Sequence, residues 1–158
     1  MTSGSKTDTA ATPDAGGWRQ RVPHAGSMLL VTDVLRHGFG ETACTVAIAE
    51  QKMFRDDDGS VAAWFGLEYM AQCIAVHSAL SSDKPGPAPL GFLVSARGLR
   101  FHCARYQPTQ VLEAVARRLW VGTGGLASFA CTLLDAKSRA LLAEGRINCY
   151  VPQDGALP

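Results

Sequence analysis

The chain has 158 residues, of which 47% are hydrophobic and 18% charged, and its formal net charge is +1. That length describes one domain with enough apolar material for a real core. The balanced charge gives no global argument for nucleic acid or an acidic membrane as a partner.

Residues 1–17 are mostly Thr, Ser, Ala, Gly and Asp, with no basic start ahead of an apolar run. They read as a disordered tail, neither signal peptide nor anchor. The single domain is expected over 18–152, with a short tail at 153–158. In 18–27 (WRQRVPHAGS), Pro23 biases Val22 to an extended backbone and Gly26 marks a turn. Residues 28–36 (MLLVTDVLR) predict a strand, and 41–49 (ETACTVAIA) its hairpin partner, across a turn at 37–40. The loop 50–59 carries Asp56, Asp57 and Asp58, a solvated turn ahead of a helix, with Asp58 or Ser60 as N-cap.

Residues 60–81 predict a long helix that is apolar nearly all round, with one carboxylate, Glu68, in its middle. A helix without a polar face is buried. A buried, unpaired carboxylate is costly, so it stays neutral or meets a specific partner. Gln72 lies one turn on, on the same face. The plainer reading is a core helix whose glutamate reaches an exposed edge. Glu68, Gln72 and His77 argue against a membrane span. The segment 84–89 (KPGPAP) cannot continue the helix. Four strand-like runs follow, at 91–103, 110–121, 126–135 and 141–151, with links short enough for antiparallel hairpins. The five cysteines form no C-x-x-C pair and sit in apolar settings. They read as reduced core thiols in a reducing, cytoplasmic compartment. Nothing in the Cys and His spacing resembles a metal cluster, and no cofactor is expected.

Two strands, one apolar helix and four strands make an α+β chain. One curved antiparallel sheet wrapped around the helix buries it on all sides. A split ferredoxin-like sandwich is the rival, but it would want a second helix.

Two motifs, 22–35 (VPHAGSMLLVTDVL) and 66–72 (GLEYMAQ), resemble the 3-hydroxyacyl-[acyl carrier protein] dehydratases of the hotdog superfamily. The second half is similar too, through 91–101 (GFLVSARGLRF) and 148–152 (NCYVP), and the branch nearest in pattern is that of aryl polyene and polyketide-like clusters. The resemblance implies the hotdog fold, and loss of water from a carrier-bound 3-hydroxyacyl thioester to give the trans-2-enoyl product. A non-catalytic hotdog subunit, binding the carrier or partnering an active dehydratase, and a hotdog thioesterase are the alternatives. One departure stands out. The family carries a histidine on the loop before the helix, and the loop 52–64 (KMFRDDDGSVAAW) has none.

The resemblance implies site residues. Glu68 matches the family's catalytic acid, and His24 is the candidate base, its plainer reading being a hydrogen-bonded turn imidazole. The family's site lies between protomers of a homodimer or heterodimer, so His24 of one chain is expected to meet Glu68 of the other. Ala63 matches the position whose backbone N–H faces the thioester oxygen. Gln72 is expected to orient Glu68, and Trp64 to line an acyl tunnel together with Phe65, Tyr69 and Met70, unless these are plain core. His77 and His102 read as packed histidines and His37 as a turn residue. The acyl carrier protein is acidic, so Arg97, Arg100, Arg105, Arg117 and Arg118 are candidates for its dock, against the plainer reading of a solvated strand face.

Overall fold

Period-two alternation builds the sheet. In the computed structural model, which describes residues 17–152, Phe129, Cys131 and Leu133 turn inward while Ala130 and Thr132 turn out. The tails expected at 1–17 and 153–158 lie, Gly17 apart, outside the described residues. The elements are β1 (Asp33–Gly38), β2 (Glu41–Ala47), β3 (Val61–Ala62), α1 (Gly66–Ser81), β4 (Phe92–Phe101), β5 (Arg105–Tyr106), β6 (Val111–Val121), β7 (Leu126–Asp135) and β8 (Leu141–Tyr150). Six strands form one antiparallel sheet in the order β1-β2-β6-β7-β8-β4, and β3 pairs with β5 apart from it. The chain therefore crosses from β2 through α1 to the far edge, where β4 pairs with β8.

The inner face is small at its centre. Ala114, Ala116 and Cys131 are buried in neighbouring register positions of β6 and β7. That lets α1 lie close against β2 and β6. The Cys73 thiol reaches the carbonyls of Thr42 and Ala114 at 3.4 and 3.3 Å. Tyr69, Met70, Ile74, Val76 and Ala79 bury the rest of this helix face.

The helix is shorter than the sequence predicts. Residues 61–62 pair with β5 as a strand, 63–65 form one 3-10 turn, and α1 begins at Gly66. Its N-cap is Phe65, with no side-chain cap. The Asp58 carboxylate instead accepts from the Ser60 N–H at 2.9 Å and hydroxyl at 2.6 Å, closing a local turn. Gly66 allows the tight entry. A Cβ there would lie 2.2 Å from the Tyr106 hydroxyl oxygen, which donates to the Ala63 carbonyl at 2.7 Å. Nor is α1 buried on every side, because its Glu68, Ala71, Ala75 and Ser78 flank remains partly exposed.

The first strand also starts later than expected, at Asp33 instead of residue 28. Side chains take the backbone bonds that a strand would need. The Gln72 side-chain oxygen accepts from the Leu30 N–H at 2.8 Å, and the Gln51 amide donates to the Leu30 carbonyl at 3.0 Å.

Candidate active site

Pro23 and the 3-10 turn Gly26–Met28 bring His24 over the first turn of α1. Its Nε2 lies 3.6 Å from Glu68 Oε1, in the same chain. Within one chain, then, the Pro-His loop folds back onto its own helix and brings the two groups together. The separation is longer than a hydrogen bond but within reach of an ion pair or one shared proton donor. Neither side chain is fully buried, at 29% and 40% exposure, so Glu68 is not the sealed carboxylate that the helix pattern predicts. His24 Nδ1 has no hydrogen-bond partner among the described residues.

Behind this pair runs a groove of about 390 Å³. Ala71, Ile74, Ala75 and Ser78 of α1 form one wall, and Phe92, Phe129 and Cys149 of the sheet form another. Residues 88–91, which follow the Pro-Gly-Pro segment, close a third side. From Glu68 to Ser78 the helix advances ~15 Å, the length of an extended acyl chain of medium size. Burial pushes the Cys149 thiol up to about 11, so this wall is neutral. Two ionisable groups at the mouth of an apolar slot suit proton transfer on a substrate with an apolar tail.

Gln72 is buried and fully engaged. Its amide nitrogen donates to Glu68 Oε1 at 2.9 Å and to the Met28 carbonyl at 2.8 Å, while its oxygen serves the Leu30 N–H. One side chain thus fixes both the carboxylate and the segment that follows His24. The single amide orientation consistent with all three partners leaves no donor for a substrate.

The other expected site residues disperse. The Ala63 N–H donates to the Ala104 carbonyl at 3.0 Å, where β3 meets β5, so it is not free for a thioester oxygen. Trp64 lies outside the groove, 62% exposed and stacked on Phe65 at 3.8 Å. Tyr69 and Met70 are core. His77 is buried, its Nδ1 2.8 Å from the Thr42 hydroxyl, which also meets His37 Nδ1 at 2.7 Å. His102 sits on the rim beside Glu144 at 3.3 Å. Arg105 pairs with Asp56 near β3, Arg118 occupies an inward register position with Phe129, and Arg97, Arg100 and Arg117 occupy outward ones. The five arginines are therefore not one patch.

Sequence reasoning missed the groove walls. Phe92, Ala127, Phe129 and Cys149 come from three strands whose register no local pattern reveals, and Ala88 and Pro89 carried only a helix-stop signal. Among the described residues the cysteines are free, no cluster suited to a metal ion occurs, and no helix is long and apolar enough to cross a membrane.

The sequence profile of the family described as "ApeP-like: ApeP dehydratase" matches residues 18–157. No curated protein sequence matches the chain. Among solved structures, the dehydratase heterocomplex ApeI:P from Xenorhabdus doucetiae is similar at 25% identity and a TM-score of 0.77, covering 86% of this chain and 91% of that one. Thioesterase superfamily member 2 of zebra fish aligns at 18% identity and a TM-score of 0.62, over 85% of this chain and 92% of its own. A sigma28-regulated virulence protein from Campylobacter jejuni aligns at 17% and 0.61, over 87% and 97%. These last two likenesses speak for the fold alone, and the fold is the hotdog arrangement.

Proposed function

The chain belongs to the ApeP-like dehydratase family, and from that premise we propose that it removes water from a 3-hydroxyacyl thioester held on an acyl carrier protein. The observation that carries this reading is the His24–Glu68 pair, 3.6 Å apart at the mouth of the apolar groove. His24 Nε2 takes the proton alpha to the thioester carbonyl. The C2–C3 double bond forms as the C3–O bond breaks. Glu68 gives its proton to the departing hydroxyl, which leaves as water. The proton on His24 then passes to Glu68, so the cycle closes without a cofactor. Gln72 keeps Glu68 Oε1 in place and leaves Oε2 to face the substrate. With the Ala63 N–H occupied, the positive end of α1 or a partner subunit polarises the thioester oxygen.

A second reading has its own support. The loop before α1 carries Phe54 but no histidine, the Ala63 N–H is taken, and the related ApeI:P dehydratase is a heterocomplex. On that reading the chain is a hotdog subunit that completes an active partner. Exposed Leu93 and Val94 on the β4 edge, at 45% and 56%, favour a strand from a second hotdog subunit docking there.

The deciding experiment incubates the purified protein, alone and with a second hotdog subunit, with 3-hydroxyacyl carrier proteins of several chain lengths. Mass spectrometry reads the loss of water. The dehydratase reading expects turnover that falls ~10²–10⁴-fold in Glu68→Gln and in His24→Ala. Full turnover in Glu68→Gln would remove the carboxylate from the mechanism. Activity that needs the second subunit but neither His24 nor Glu68 establishes the supporting role.

A further inference from the structure

The groove has a far end, and one arginine stands at it. Ser78 is the last residue of α1 on the groove wall, and the helix stops within one turn of it, at Ser81. The last turn carries no basic residue of its own. The free carbonyls and the negative end of the helix dipole are met instead by Arg21, sixty-one positions before Ser82 in the chain. Arg21 Nη2 donates to the Ser82 carbonyl at 2.8 Å and to the Lys84 carbonyl at 3.2 Å. The main-chain carbonyl of the same residue accepts from the Ala88 N–H at 2.7 Å. Arg21 therefore holds the Pro-Gly-Pro turn by both of its ends. The turn can do little for itself, since Pro85, Pro87 and Pro89 have no N–H to donate. No carboxylate pairs with Arg21 among the described residues, and its Nε is buried there without a partner. Its guanidinium is committed to the helix end and the turn.

Arg21 also joins two walls of the groove. Just after it, Pro23 and His24 line the mouth, while residues 88–91, which it holds through Ala88, line the third side. Its own position is rooted by the buried Trp18, whose carbonyl accepts from the Arg21 N–H at 3.0 Å and the Val22 N–H at 3.2 Å. We propose that Arg21 is a positioning residue that shuts the far end of the groove and so limits the length of the acyl chain the site accepts. The proposal rests on the reading of the groove as an acyl site. Without the guanidinium, the Ser82 and Lys84 carbonyls lose their shared donor. The Pro-Gly-Pro turn is then free to swing away from the end of α1 and to take the 88–91 wall with it. The slot runs on past Ser78 by up to one helical turn, ~5.4 Å beyond its first ~15 Å. A residue that only stabilised the fold would weaken every chain length alike. One that ends the slot changes the ratio between lengths.

The test compares the wild type with Arg21→Met, which keeps the apolar stem and removes the donors, and with Arg21→Lys, which keeps a donor and the charge. Calorimetry reads the binding of octanoate, dodecanoate and hexadecanoate. Mass spectrometry reads the dehydration of 3-hydroxyacyl carrier proteins of the same lengths. The wild type should bind dodecanoate more tightly than octanoate and gain nothing further from hexadecanoate. Arg21→Met should bind hexadecanoate about tenfold more tightly than the wild type does, the worth of about two further buried methylene groups. Turnover of the long thioester should follow through KM and not kcat, since His24 and Glu68 stay in place. Arg21→Lys should restore the wild-type preference. Ser78→Leu, which fills the same end with Arg21 untouched, should move the preference toward octanoate, and it keeps the test open if Arg21→Met fails to fold. Lys137→Gln, on the β7–β8 turn, should change nothing. Equal ratios of hexadecanoate to dodecanoate binding in the wild type and a folded Arg21→Met overturn the proposal and leave the dehydratase reading standing. So does an unchanged preference in Ser78→Leu. A wild type that binds none of the three acids overturns the proposal, and if it also dehydrates no thioester the acyl-site reading falls with it.

Discussion

Glu68 is held by its neighbour one turn on. Replacing Gln72 with leucine keeps the size of the side chain but leaves the Leu30 N–H and Met28 carbonyl without their buried partner. Gln72→Leu should lose about 1–3 kcal/mol of stability and lower turnover together, read by denaturant melts and the dehydration assay. Glutamate in its place would retain the acceptor for Leu30 but meet Glu68 as a like charge. A second residue-scale expectation concerns His77. Burial, with the charges of His37 and Arg118, lowers its pKa to about 4 from an ordinary 6.5. The folded state therefore keeps His77 neutral where the unfolded chain would bind a proton. That contribution is complete above about pH 6.5 and is lost as the pH falls from there toward 4, at most ~3 kcal/mol. Thermal melts of the wild type should fall through that window. His77→Gln, which cannot titrate, should flatten the fall, and an unchanged slope would assign it to other groups. The Glu68–Gln72 face was legible because helical spacing is local. The role of Gln72 as a clamp on residues 28–30 was not, since those residues lie more than forty positions away.

At the scale of elements, the entry to α1 carries the most information. The apolar run 60–81 looks continuous, yet its first residues form a strand because β5 offers them a ladder. Pairing that depends on a segment forty residues on is invisible to a helix-period pattern. Gly66 marks the change of course. Gly66→Ala should destabilise the fold by about 1–3 kcal/mol, since the added Cβ would push into the buried Tyr106 hydroxyl. Tyr106→Phe alone should cost less, about 1 kcal/mol, for the lost hydrogen bond to the Ala63 carbonyl. The double variant Gly66→Ala/Tyr106→Phe should recover part of the glycine penalty if contact with the hydroxyl is its cause. A double-mutant cycle by urea melts measures that coupling.

At the scale of the molecule, β4 ends the sheet with no strand on its outer side among the described residues. An open edge bearing exposed Leu93 and Val94 is a pairing site. We expect a dimer by sedimentation, with itself or with a second hotdog subunit, weakened by Val94→Lys. The position of His24 and Glu68 in one chain bears on a further test. Mixing His24→Ala with Glu68→Gln subunits should restore no activity, because no combination rebuilds a pair that lies within a single protomer. Recovery on mixing, with subunit exchange demonstrated, would mean that the productive site joins two chains.

The sequence by itself determined the number and kind of the main elements, the apolar character of the helix, and the two motifs that hold His24 and Glu68. Those properties follow from periodicity, turn residues and local spacing, which a chain expresses before it folds. Only the tertiary structure decided that the two groups come within 3.6 Å of each other in one chain, that the Ala63 N–H is spent on Ala104, and that a groove lies between α1 and the far strands. It also decided that Arg117 and Arg118 part company. Neighbours in a strand point to opposite faces, so one row of register sends Arg118 inward beside Phe129 and Arg117 outward beside Ala130. A run of like charges shows how many there are, while the pleat and the pairing of distant strands decide which of them meet.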